Sequence, residues 1–201
     1  MKIELPKRRS AFLWGPRQSG KTSYLRSNFE NSAYFDLLDF DEVNRFSVRP
    51  RVLGELLAAL PNEKLKSPVI IDEIQNVPSL LNEVHRLTES EGFSFILCGS
   101  SARKLKRPGV NLLGGRAWRF EMFPLSMTEI HDFDLHRAIN HGLLPRFYIE
   151  RNPRNLDNYL SNYLETEIYN EAYVREVAAF SRFLSALAYS HGELLNYSSI
   201  A

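Results

Sequence analysis

The stretch "LWGPRQSGKTSYL", Leu13 to Leu25, decides how the rest of the chain is read. It carries Gly15 and Gly20 five residues apart, followed at once by Lys21 and Thr22, which fits the pattern G-x-x-x-x-G-K-[ST] over Gly15-Pro16-Arg17-Gln18-Ser19-Gly20-Lys21-Thr22. Glycines at those two places let the backbone curl so that successive N–H groups point inward, and a helix starting near Lys21 adds the positive end of its dipole. Such a loop cradles phosphate. Residues 15–23, through Ser23 on the first helical turn, are the expected nucleotide contacts; Lys21 is expected to reach the β- and γ-phosphates and the Thr22 hydroxyl to hold Mg²⁺. By chance the pattern arises in about one chain per hundred of this length, or fewer.

The flanks give the loop its setting. "SAFLW", Ser10 to Trp14, is a short apolar run ending at Gly15 and reads as a buried strand, and Lys21 to Phe29 reads as a helix. Further along, "SAYFDLLD" (Ser32 to Asp39) reads as a second strand and "RPRVLGELLAALP" as a helix closed by Pro61. "SPVIIDE" is a third strand, and "PSLLNEVHRLTESEG", opening at Pro78 and closing at Gly92, is a helix. "FSFILCGSS" and "AWRFEMFPL" supply a fourth and a fifth strand. Strands alternating with helices predict a parallel sheet covered on both faces.

After about Ser126 the strand signal ends. Leu156, Tyr159, Leu160, Tyr163, Leu164 and Ile168 share one face of an expected long helix, and Val177, Phe180, Leu184 and Leu187 mark another. The expected organisation is therefore an α/β core over residues 1–125 and an all-helical part over residues 126–201. "NYSSIA" offers Asn196 or Ser198 as a helix cap with too few residues after it to form a turn, so the chain is expected to continue into a helix.

Composition narrows the field. The chain has 201 residues, is 44% apolar and carries 25 basic against 24 acidic side chains, enough for a sizeable core and without a global field that draws it to nucleic acid or lipid. The longest apolar run, Leu56 to Leu60, is far short of the roughly 20 residues of a membrane-spanning helix. One cysteine, Cys98, excludes an internal disulfide and suits a reducing cytoplasm, the expected location. The basic cluster "ARKLKRPG" (Arg103, Lys104, Lys106, Arg107) lacks interleaved aromatics and reads mainly as a solvated face. The five histidines show no metal-binding spacing. Tyr159, Tyr163, Phe180 and Phe183 fall on apolar helix faces and are expected in the core.

Hydrolysing a Mg²⁺-nucleotide requires a second carboxylate for the metal, a group that activates water, and positive charge on the transferring phosphoryl. "VIIDE" ends a buried strand in acids at the edge where ligands of open α/β sheets collect, so Asp72 is expected to hold Mg²⁺ and Glu73 to polarise the attacking water. Taken alone, the pair could equally cap the following segment. Ser100, with Ser101 as the alternative, ends the fourth strand and is expected beside the γ-phosphate, to fix the water or report nucleotide state; either could equally be an ordinary turn serine. Arg116 in "LLGGRAWRF" is the candidate arginine finger, in cis or from a neighbouring subunit, with Arg119 as backup.

The combination "FLWGPRQSGKT", "VIIDEIQNVP", "ILCGSSARKL" and "GGRAWRFEMFPLSMTEI", with the helical tail, resembles the bacterial and archaeal AAA-type P-loop ATPases that carry a C-terminal domain of uncharacterised function. The resemblance implies a three-layer sandwich with strand order 5-1-4-3-2 and a small helical lid, a Walker A motif at Gly15 to Thr22 and a Walker B motif at Asp72 and Glu73. It further implies ATP with Mg²⁺, a polar sensor at Ser100 or Ser101, and Arg116 as the finger, through which a homo-oligomer would form. In the family a winged-helix-like segment and a further domain follow, which implies a DNA or protein partner through that part. Two other readings share the phosphate loop. A small-molecule kinase would need an acceptor and an arginine-rich lid that is not evident, and a nucleotide-switched binding module would hold ATP with little turnover.

Overall fold

The computed structural model describes residues 2–6, 8–61, 63–100, 105, 117–163 and 176–190. Its first part alternates strand and helix: β1 (Ser10–Trp14), α1 (Lys21–Asn28), β2 (Tyr34–Asp36), α2 (Phe40–Val48), α3 (Val52–Ala58), β3 (Val69–Asp72), α4 (Leu80–Ser90), β4 (Phe95–Gly99) and β5 (Ala117–Glu121). The five strands form one sheet in the order β2-β3-β4-β1-β5, and every neighbouring pair is parallel. This is the expected order 5-1-4-3-2, read from the opposite edge.

Burial on both faces explains why the inner strands are continuous apolar runs instead of alternating ones. Phe12, Trp14, Val69, Ile71, Phe95 and Leu97 point to one side, against Phe46 of α2, Leu53 and Leu57 of α3, and Leu80, Leu81, Val84 and Leu87 of α4. The interleaved Leu13, Ile70, Ile96 and Cys98 point to the other side, against Leu25 of α1 and Ile3. The result is a three-layer α/β sandwich of the P-loop NTPase type. Parallel registers bring Trp14 beside Gly99 and Ile71 beside Leu97, so the loops after β1, β3 and β4 leave the same edge of the sheet.

Within the sheet-bearing part, two elements differ from expectation. The second strand is only Tyr34–Asp36, because Leu37 and Leu38 already turn toward a helix: Leu37 N–H donates to the Asp72 carbonyl at 3.1 Å. That helix, α2, was not expected. Asp39 caps it by accepting from the N–H groups of Asp41 and Glu42, and Phe46 buries fully while Phe40 and Val48 stay in water. Val43 packs partly buried against the same core as Phe46, so the helix does carry an apolar period.

The chain divides into two compact units, Met1–Phe133 with Leu143–Arg146, and Asp134–Gly142 with Phe147–Ala201. The second is mainly helical where described, drawing on α5 (Leu135–His141), α6 (Pro145–Glu150) from Phe147 onward, α7 (Pro153–Tyr163) and α8 (Val177–Tyr189). Within it Arg137 stacks over the Tyr148 ring at 4.1 Å, Tyr148 Oη accepts from the Asp134 N–H at 3.0 Å, and the rings of Phe147 and Tyr159 lie 5.1 Å apart. Phe183, expected in the core, is exposed at 42%. Periodicity identifies residues that share a helix face; it does not say whether anything covers that face. No helix among the described residues is long and apolar enough to cross a membrane.

Candidate active site

The loop between β1 and α1 is shaped by two glycines with different tasks. At Gly15 the backbone passes so close to its neighbour that an added Cβ would lie 2.2 Å from the Met122 carbonyl oxygen, so no side chain fits. At Gly20, φ is +95°, the left-handed region that glycine enters without strain, and Gln18 adds a second left-handed residue at φ +63°. Left-handed residues in a short loop turn consecutive N–H groups toward one concave side. The Ser19 hydroxyl is buried there with no hydrogen-bond partner among the described residues, a donor that a phosphate oxygen would satisfy. Lys21 is buried, and its Nζ donates to the carbonyls of Gly15 and Pro16, each at 2.8 Å.

Across from the loop, β3 delivers Asp72, which is 3% exposed. Its Oδ2 accepts from the Thr22 hydroxyl at 2.8 Å and from the Tyr34 hydroxyl at 2.5 Å, and its Oδ1 accepts from the Glu73 N–H at 3.0 Å. Burial, then the hydrogen bond to Asp72, pushes the Tyr34 phenol above its ordinary pKa. Burial first, then the negative charge of Asp72, does the same to the Cys98 thiol beneath the site. A hydroxyl and a carboxylate within hydrogen-bond reach form the hard oxygen donor pair that suits Mg²⁺.

Glu73 sits at φ +55°, a left-handed conformation that costs a non-glycine residue about 1–3 kcal/mol. Its carboxylate accepts from the Gln75 amide, whose Nε2 also lies 3.4 Å from Ser100 Oγ. Gln75, at the middle of this bridge between the ends of β3 and β4, is 6% exposed, while Glu73 and Ser100 at its two ends are half-buried.

A cavity of about 410 Å³ opens over the loop. Of the residues expected from sequence, Arg17, Gln18, Gly20, Lys21, Thr22, Ser23 and Glu73 line it. Gly15, Pro16 and Ser19 shape the loop beneath, Asp72 reaches the site through Thr22, and Ser100 through Gln75. Arg116 and Ser101 lie outside the described residues. Four residues escaped sequence reasoning. Pro145 and Arg146 complete the cavity wall, while Tyr34 and Gln75 hold the two acids. Gln75 stands within the quoted "DEIQ", where a polar residue placed just behind two acids was a usable signal; the other three are brought in from remote segments.

Residues 7–131 match the AAA domain family, and residues 132–201 match a domain of unknown function. An uncharacterized protein of Methanocaldococcus jannaschii is 28% identical over 137 residues, covering 66% of this chain and 30% of its own length. An uncharacterized protein of Mycobacterium tuberculosis is 26% identical over 195 residues, covering 94% of this chain and 43% of its own length. The chain thus spans less than half the length of the curated relatives it matches. A Walker-type ATPase of Pyrococcus abyssi aligns with a TM-score of 0.45 at 13% identity, over 90% of this chain and 69% of that one. With the family match extending over more than half of its residues, the chain belongs to the AAA domain family of P-loop ATPases.

Proposed function

We propose that this chain binds ATP with Mg²⁺ and hydrolyses it to ADP and phosphate, with residues 1–125 as the ATPase core and residues 126–201 as a helical lid. The observation that carries the reading is the contact between Thr22 and Asp72, a hydroxyl and a carboxylate 2.8 Å apart beside the cavity lined by Lys21 and Glu73. Lys21 places its charge on the β- and γ-phosphates, and the loop N–H groups with the Ser19 hydroxyl hold the phosphate oxygens. Thr22 and Asp72 hold the metal, which when bound supplies Lewis-acid charge to the phosphate oxygens. Glu73 accepts a proton from water as its oxygen attacks the γ-phosphorus, and the bond to the bridging oxygen breaks to release ADP. Ser100, tied to Glu73 through Gln75, senses the γ-phosphate.

The test is phosphate release from ATP alone. The purified protein is expected to hydrolyse ATP in Mg²⁺ and not in EDTA, with no second small substrate. Lys21→Ala is expected to weaken ATP binding by about 10- to 100-fold, the loss of one charge-assisted hydrogen bond. Phosphorylation of an added nucleoside or sugar without basal hydrolysis would overturn the reading in favour of a kinase, and tight ATP binding without turnover would favour a nucleotide-switched module.

Arg116 is proposed as the finger, supplied between copies of the chain in a homo-oligomer, and a DNA or protein partner is proposed for the region that follows the ATPase core in longer relatives. Arg116→Ala is expected to abolish hydrolysis, and mixing it with Lys21→Ala is expected to restore part of it. Failure of the mixture to recover activity would place the arginine in cis. A chain with one buried thiol and ATP as its substrate fits the cytoplasm.

A further inference from the structure

We propose that Tyr34 is a positioning residue for the metal site: its hydroxyl fixes the Asp72 carboxylate in the orientation that, with Thr22, receives the cation. This rests on the reading of Asp72 as the metal carboxylate. Tyr34 and Asp72 stand on neighbouring strands, and the register pairs Tyr34 with Ile70, two residues behind Asp72 on the same side of the sheet. A long side chain is needed to span that diagonal. Tyrosine reaches across it and donates to Oδ2, the oxygen that Thr22 also uses, while the Glu73 N–H holds Oδ1.

Three donors therefore set the rotation of a carboxylate that is 3% exposed and has little water to turn toward. When the Thr22 oxygen turns to a cation, Tyr34 and the Glu73 amide still hold the carboxylate in place.

The ring is aimed from behind. The Arg26 guanidinium lies 5.0 Å from the ring centre, and Arg26 pairs with Asp36 on the same strand at 3.9 Å. The ring itself packs on the apolar group of Leu13, Leu25, Ile70, Ile96 and Cys98. Phenylalanine would fill that place equally well, so packing does not account for the hydroxyl. Its partner does. Groups that orient a metal ligand by hydrogen bonding change metal affinity or activity about 10- to 100-fold when removed.

The experiment measures the affinity of a fluorescent non-hydrolysable ATP analogue in Mg²⁺ and in EDTA for the original protein, Tyr34→Phe and Asp72→Asn. The ratio of the two affinities is the coupling between metal and nucleotide. Tyr34→Phe is expected to lower that ratio about tenfold while leaving the affinity in EDTA within about twofold. A purely structural role would shift both affinities together and leave the ratio intact. An unchanged ratio in Tyr34→Phe, alongside a collapsed one in Asp72→Asn, overturns the role of Tyr34 alone. An unchanged ratio in both variants overturns the metal assignment of Asp72, and Tyr34's role with it.

Discussion

Glu73→Gln is expected to bind ATP as the original protein does and to release phosphate at least about tenfold more slowly, approaching the hundredfold or more that a general base contributes. The substitution is nearly isosteric, and a glutamine carbonyl can still accept from Gln75 Nε2, so the bridge between β3 and β4 survives. Only proton acceptance is lost. Because that interaction matters in the transition state and little in the ground state, kcat should fall while KM holds. Steady-state phosphate release with a direct ATP-binding measurement separates the two effects, and undiminished turnover would remove Glu73 from the chemistry.

Gly15→Ala is expected to act on the framework. The added carbon would lie 2.2 Å from the Met122 carbonyl oxygen and 3.1 Å from its carbon, and both are backbone that cannot swing aside. Met122 N–H donates to the Trp14 carbonyl at 2.7 Å, so the clash falls on residues already tied together where β1 and β5 end. Forcing a methyl group into such a place costs about 1–3 kcal/mol or more. For a chain of this size that lowers Tm by about 2–4 °C for each kcal/mol. The loop must also move, so the protein that does fold should lose ATP affinity. Thermal denaturation and ATP titration check the two parts, and a variant with unchanged Tm would show that β5 yields more easily than its hydrogen bonds imply.

How far the sequence led depended on how local the cause was. The strands ending in Trp14, Asp72 and Gly99 were legible because each is a short apolar run closed by glycine or acids, and α1 because the phosphate loop must hand over to a helix. The fifth strand was legible from its aromatic run before Pro124. Helix α2 was missed although it is amphipathic, with Phe46 buried and Val43 partly buried against the same core; the apolar period was there, in a short segment directly after the second strand. The site divided in the same way. Thr22 and Asp72 could be named from two separate motifs, although their contact joins residues fifty positions apart. Tyr34 looked like any strand aromatic until the register of β2 against β3 aimed it at Asp72. Pro145 and Arg146 carried no motif, because their place beside Lys21 arises only when the chain returns to the loop.

Cys98 gives the molecule a built-in clock. It is the chain's one cysteine, fully buried in β4 with its thiol held above the ordinary pKa, so the reactive thiolate is scarce and shielded while the sheet stays closed. A maleimide dye directed to a cysteine introduced on the surface therefore has no rival, and the native thiol need not be removed first. Slow labelling of Cys98 itself then times how often the central strand comes open, and ATP that binds only the closed form should slow that clock.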